Sequence, residues 1–347
     1  MKRFLSFCNI LIYCLIILAL IFYIINLIPH KAPSQFAFTP FQIFPSDYAD
    51  DKKDPSDNYS DNSQNSGPAP DRLDGTDHIN TDVQIKVKER SIYLGESAQE
   101  LLDEFGQPGR IDETEYNFEF YIYNNDYTRF LAVAVSDDKV VGFYTDSLDF
   151  NYKGIKSGSS LTAIQKAFDQ NYSLKDIIEY ETHDYTVQIF MDTLESKKVT
   201  GIYMMAKDVK VDEYTDKAMR CLELMVYDLT NSIRVRSNLP ALSWSSSAAL
   251  ASRKHSMDMA ANDYFGHINI KKELPEDRLR AEGIFVIVNS ENLVAGYDNA
   301  FISVHKLYNS KVHRKNMLGK KIRYTGVGFA YVPESKYTSY ITQIFYR

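Results

Sequence analysis

The chain has 347 residues, 44% of them apolar, and a formal net charge of −7. That length suits two domains plus a tail, and the apolar share is enough for sizeable cores. The charge is local: residues 32–82 hold ten Asp and no Glu against Lys52, Lys53 and Arg72, so this segment alone carries −7. The remainder balances and offers no basic stripe to neutralise phosphates, so nucleic acid is not an expected partner.

Met1-Lys2-Arg3 leads into an almost unbroken apolar run from Phe4 to Ile28. About 20 apolar residues span a bilayer as a helix, whereas a secretory signal has a shorter core and a small-residue cleavage site, which Phe22-Tyr23-Ile24-Ile25-Asn26 lacks. Residues 1–31 are therefore expected to be a signal anchor, with residues 4–28 in the membrane. The charges of Lys2 and Arg3 place the N-terminus in the cytoplasm and everything after the span outside. Secretion after signal cleavage is the alternative.

Residues 32–82 are rich in Asp, Ser, Asn and Pro and show no periodicity. Such a segment cannot bury enough apolar surface to offset its ordering entropy, so it reads as a disordered, self-repelling tether.

Residues 83–207 contain an internal repeat. YLGESAQELLDEFGQP and IKSGSSLTAIQKAFDQN align Gly95 with Gly158 and Phe105 with Phe168; further on, KVVGFYT aligns with KVTGIYM, setting Val140 over Val199 and Gly142 over Gly201. Each copy opens with a Ser-capped short helix, and Ser97 with Glu100 forms a capping-box pattern. Each continues as aromatic-rich strands such as FEFYIYNNDYTRFLAVAV. One copy is too small to cover both helix and sheet, so the two are expected to share a core.

A helix is expected from about Asp216 to Val235, with Leu222, Met225, Leu229 and Ile233 on one face. Asn238-Leu239-Pro240 ends it. Ser245–Ser247 cap a second helix through HSMDMAANDYF, which Gly266 is expected to stop, leaving His267 one residue past a rigid end. Pro275 opens a short helix that Gly283 closes. IFVIV reads as a buried strand delivering Ser290-Glu291-Asn292-Leu293 at its exit. A further helix turns Phe301, Val304 and Tyr308 inward and ends near Ser310, so that His313 falls beyond it. YTGVGFAYV and YTSYITQIFYR close the chain as a hairpin, and Gly326, Gly328 and Ala330 on one face invite close approach of another element. Cys221, alone in the soluble part, cannot form an intramolecular disulfide and reads as a small buried residue.

The fragments HSMDMAANDYFGH, PEDRLRAEG, SENLVAG, NSKVHRKNML, GVGFAYV and YITQIFYR, in that order, resemble the CAP superfamily of cysteine-rich secretory, antigen 5 and pathogenesis-related 1 proteins. The resemblance covers about residues 216–347 and implies an α-β-α sandwich. The repeat region looks like the CAP-associated domain that precedes such modules, and the order anchor, tether, repeat domain, CAP domain is similar to Gram-positive envelope proteins. The fold expected is thus α+β: the sandwich, preceded by a two-copy helix-plus-antiparallel-sheet domain, a tether and one transmembrane helix.

The family's cleft carries two histidines and two acids. Position by position these fall on His267, His313 and Glu291, while Leu307 and Ser310 stand where the helix aromatic and the second acid belong. Val312 replaces the usual glycine. His267, Glu291 and His313 could give a divalent metal such as zinc three ligands, with water in the fourth position. His255 and His305 read as capped or solvated groups, Asp277-Arg278 as a local ion pair, and Asn292 and Gln343 as braces. Two functions follow: an envelope module binding a lipid, glycan or peptide, or a metal-dependent hydrolase in which Glu291 takes a proton from bound water. A weaker reading makes Ser310 a nucleophile activated by His313.

Overall fold

The computed structural model describes residues 84–207, 209–210, 214–286, 289–297 and 299–347. The apolar N-terminal run and the acidic tether lie outside the described residues. Among those described, no helix is long and apolar enough to cross a membrane.

The repeat is visible as two superposable hydrogen-bond patterns. Gly95 and Gly158 both take left-handed backbone, φ +83° and +80°. The Gly95 amide donates to the Val140 carbonyl at 2.7 Å, and the Gly158 amide to the Val199 carbonyl at 2.9 Å. The partners are the residues that align in the sequence. Each glycine leads into a helix, α1 (Ala98–Phe105) or α2 (Leu161–Phe168). Ser97 and Glu100 close the expected capping box; Ser160 caps α2 without a side-chain bond.

The first copy supplies strands β3 (Arg110–Glu113), β4 (Glu119–Tyr123), β5 (Leu131–Ser136) and β6 (Lys139–Thr145). The second supplies β9 (Ile177–Glu181), β10 (Tyr185–Met191) and β11 (Val199–Ala206). They join in one antiparallel sheet, order β3-β4-β5-β6-β11-β10-β9, through β6–β11 pairing of Gly142 with Met205 and Thr145 with Ile202. A smaller sheet of β1 (Gln84–Val87), β2 (Arg90–Tyr93), β7 (Phe150–Tyr152) and β8 (Ile155–Lys156) helps cover one face. Ile85, Leu101, Phe143, Ile164, Ile189 and Ile202 from both copies share that core.

The opposite face of the large sheet is apolar too, and the C-terminal domain covers it. Phe120, Phe130, Tyr144 and Phe190 form one core with Leu222, Met225 and Leu229 of α3 (Asp216–Arg236) and with Phe301 and Val304 of α6 (Ala300–Tyr308). Because α3 lies between two sheets, its polar side is buried as well: Glu223, Asp228, Asn231 and Arg234 are all inaccessible. Buried charges persist only when paired. Asp228 receives Arg110 at 2.8 Å, and Arg236 reaches Asp146 at 2.8 Å, so ion pairs join the domains.

The C-terminal sheet runs β12 (Ser243–Trp244), β14 (Tyr324–Tyr331), β15 (Ser339–Tyr346), β13 (Asn289–Ala295). Its face towards α3 carries Val327 and Phe329. The other face receives α4 (Ser246–Ala261), whose backbone lies where a Cβ on Gly326 or Gly328 would stand. The expected close approach is therefore made by α4. A short helix α5 (Pro275–Ala281) precedes β13, and α7 (Lys311–Met317) follows α6.

Three expectations are corrected. The helix bearing His255 ends at Ala261, with Asp263 at φ 51° in the left-handed region; Gly266 is not its cap. The strand bearing Glu291 is described over Asn289–Ala295, and residues 284–286 of IFVIV lie outside it with Phe285 79% exposed, so Glu291 sits inside the strand and not at its exit. His313 lies within α7, which Ser310 opens as N-cap, and not on a loop past a helix end.

Candidate functional site

Glu291 is the centre of the site. Pairing with Ile344 of β15 fixes its backbone, and its side chain is 1% exposed. Both carboxylate oxygens are engaged. Oε1 lies 2.9 Å from His267 Nδ1, and Oε2 accepts from Arg278 Nη2 at 2.6 Å. Arg278 also donates to the carbonyls of His267 and Glu273, tying the loop before α5 to the strand. Asp277 does not pair with Arg278 as expected; it pairs with Arg280 at 3.0 Å.

A carboxylate only accepts, so Nδ1 is the donor in this contact, and the neutral form of the His267 ring has its lone pair on Nε2. A carboxylate behind an imidazole fixes tautomer and orientation. The His267 side chain is 54% exposed, so the oriented ring is presented outward. Glu291 thus stands behind His267 rather than beside it.

His313 arrives from α7. Its carbonyl accepts from Asn292 Nδ2 at 3.2 Å, and Asn316, one turn on, donates to the Glu291 carbonyl and to Asn292 Oδ1 at 2.9 Å. Burial, with the nearby His267, holds the His313 imidazole below the usual histidine range. Asn292 is the brace anticipated for it, and Gln343 donates to Thr230 in the core beneath. Ser310 makes no side-chain capping bond, and no hydrogen bond joins it to His313 among the described residues, so the pair lacks the contact that activates a nucleophile.

The metal set expected of His267, Glu291 and His313 does not fit the side chains as they stand. No group of three or more His, Cys, Asp or Glu is placed to hold a metal ion among the described residues. Glu291 bonds the Nδ1 side of the His267 ring, so the two do not turn their donor atoms towards one shared point. His255 and His305, expected at the surface, are both buried. His255 Nε2 lies 2.9 Å from the Gly266 carbonyl, steadying the turn before His267. His305 stacks on Phe190 at 4.0 Å and meets the Tyr144 hydroxyl at 2.8 Å, in the joint between domains. Cys221 is half-buried; burial pushes its thiol up to about 11, which keeps it a protonated, poor nucleophile.

Two residues that shape the site carry no sequence signal for their role. Arg278 bonds Glu291 across thirteen positions, and Arg314, beside His313, bonds Asp192 of the repeat domain at 2.6 Å. Asn316 was legible in principle, three residues after His313 on one helix.

A four-stranded sheet between helical layers, with a pair of histidines beside its edge strand, is the arrangement expected of an SCP-like, or CAP, module. The chain carries a domain of the cysteine-rich secretory protein family over residues 227–345, preceded by a CAP-associated N-terminal domain over residues 94–214. It is 27% identical over 276 residues to the uncharacterized membrane protein YlbC of Bacillus subtilis, covering 68% of this chain and 79% of that one. The uncharacterized protein YkwD of the same organism is 31% identical over 107 residues, 31% of this chain and 42% of its own. An extracellular protein containing an SCP domain from Bacillus anthracis has a similar fold, at TM-score 0.59 and 24% identity over 73% of this chain and 93% of that chain. A cysteine-rich secretory protein from Staphylococcus aureus gives TM-score 0.55 at 17% identity, over 73% and 91%.

Proposed function

We propose that this chain is a membrane-anchored, extracytoplasmic binding module of the cell envelope, and that its cleft holds a ligand rather than catalysing a reaction. One observation supports the reading: the Glu291 side chain is 1% exposed and bonded by Arg278 and His267, so it faces the protein and not a water molecule that it could deprotonate. What remains presented is an oriented imidazole with an acceptor nitrogen, flanked by His313. That arrangement suits a ligand offering hydroxyl or amide donors, as a glycan, a peptide or a lipid headgroup does. The names of the B. subtilis and B. anthracis relatives, a membrane protein and an extracellular protein, support the envelope location.

The test is affinity capture with the full chain. Wild type, His267→Ala and His313→Ala are exposed to separate glycan, peptide and lipid fractions of a bacterial envelope, and bound species are identified by mass spectrometry. Wild type should enrich one class that both variants lose. Equal enrichment by all three, or turnover of a fraction abolished by Glu291→Gln, would sink the reading.

A further inference from the structure

Charge balance beyond residue 82 hides a strongly basic run. Residues 311–323, KVHRKNMLGKKIR, hold six Lys and Arg and no acid. Arg314 is buried against Asp192, but Lys311, Lys315, Lys320, Lys321 and Arg323 are exposed. Lys271 and Lys272 are exposed on the loop that carries His267. None of these seven forms an ion pair among the described residues. Of the acids in that loop and α5, Asp277 is paired with Arg280, whereas Glu273, bonded by the neutral Asn269, and Glu276 keep their charge, so two acids stand against the seven cations.

Large apolar side chains are exposed among these cations. Ile268 and Ile270, 51% and 55% exposed, share the loop with Lys271, and Val312, at 67%, sits between Lys311 and His313. Phe285, at 79%, is the most exposed large apolar residue among the described residues. Strand register gathers them. Asn289 pairs with Tyr346 and Tyr346 with Tyr324, so the chain before Asn289, with Phe285, and the chain before Tyr324, with Lys320 and Lys321, leave the same end of the sheet. The bonds from His267 to Glu291 and from Asn316 to the Glu291 carbonyl bring the loop and α7 to that end as well.

We propose that this end of the CAP domain docks on an anionic lipid surface, with Ile268, Ile270, Phe285 and Val312 entering the headgroup region and the lysines meeting lipid phosphates. Lysines near such a surface are attracted by its negative potential, and apolar side chains between them add burial that a purely polar polyanion does not offer. This contact is separate from the anchor expected of residues 4–28, and it does not depend on what the cleft binds.

The test uses the full chain with Trp244→Phe, so that a single introduced tryptophan reports. Ile270→Trp, Phe285→Trp and, on the repeat domain, Leu148→Trp are each reconstituted in vesicles of brominated phosphatidylcholine, with and without phosphatidylglycerol. With phosphatidylglycerol, emission from the first two should be quenched at least about twofold more than from Leu148→Trp, and the excess should vanish at high salt. It should also vanish when Lys311, Lys315, Lys320 and Lys321 are all changed to Glu, in a variant shown by its melt to be folded. Quenching no greater than at Leu148→Trp, or indifferent to phosphatidylglycerol and charge reversal, would overturn the proposal. So would a spectral shift given only by soluble polyglycerol phosphate, which would assign the lysines to a phosphate polymer instead.

Discussion

Arg278 and Glu291 face each other at 2.6 Å with side chains 6% and 1% exposed, and the pair ties the loop of His267 to the site strand. A buried pair contributes little against an apolar replacement, yet removing one partner strands a charge and costs about 3–5 kcal/mol. Arg278→Ala should therefore lower the unfolding free energy by that order in urea titrations. It should also release the loop of His267, seen as faster amide exchange at residues 265–274. A loss under 1 kcal/mol would mean that water already solvates the carboxylate.

Asp192 of the repeat domain predicts acid sensitivity in the joint. Burial opposes its charge, but hydrogen bonds from Arg314 and the amides of Ser196 and Glu195 outweigh it and hold the carboxyl well below the usual range. A depressed carboxyl contributes stability above its unfolded pKa of about 3.9, and that contribution fades as pH falls further. Asp192→Asn should be less stable than wild type at pH 7, with the gap narrowing below about pH 4 in denaturant titrations.

His305 acts over a different window. Burial, helped by Arg236, holds its imidazole far below the ordinary histidine range. The neutral ring's contribution is complete above the unfolded pKa of about 6.5 and is lost as pH drops below it, by up to about 1.4 kcal/mol per pH unit. Melting temperature should fall from pH 7 to pH 5, and the fall should be shallower in His305→Gln. Identical slopes would show that other groups dominate.

Glycine substitutions should separate packing from turn chemistry. At Gly328 a Cβ would fall on the backbone of Ser252 and Arg253, which cannot give way as a side chain can. Gly328→Ala should cost about 3 kcal/mol or more. Gly266→Ala meets nothing within 4 Å and should be close to neutral. Gly283 has φ +80°, so its alanine variant should cost about 1–2 kcal/mol from backbone alone. Thermal melts of the three variants check the order.

The two repeat copies should not fold apart. Their helices and strands contribute to one core, and β6 pairs with β11 at the middle of the sheet. Residues 84–150 expressed alone should expose Phe143 and the open edge of β6, giving no cooperative melt.

What the sequence disclosed was local or periodic. The Ser97–Glu100 cap, the Gly95–Gly158 repeat and the Gly326–Gly328 face each rest on residues near in sequence or aligned by repetition. The site residues were placed by resemblance, and their pairing was not. Arg278 reads as the neighbour of Asp277, and only the turn of α5 sends one to Glu291 and the other to Arg280. His305 occupies a helix position that one domain alone would leave open; the second domain buries it, and no window along the chain reveals that. Gly266 looked like a cap because glycine favours such positions, yet Asp263 took the left-handed conformation.

The aromatic joint has a consequence for inheritance. Phe301 stacks on Tyr144 at 4.2 Å and meets Phe120 at 5.6 Å, so a residue of one domain is shaped by two residues of the other. A mutation at any of the three is judged by selection against both domains at once. A gene that parted them would leave Phe301, Leu222 and Met225 facing water, a liability in any cell. A CAP domain produced without its repeat companion would therefore need these positions changed or covered in another way.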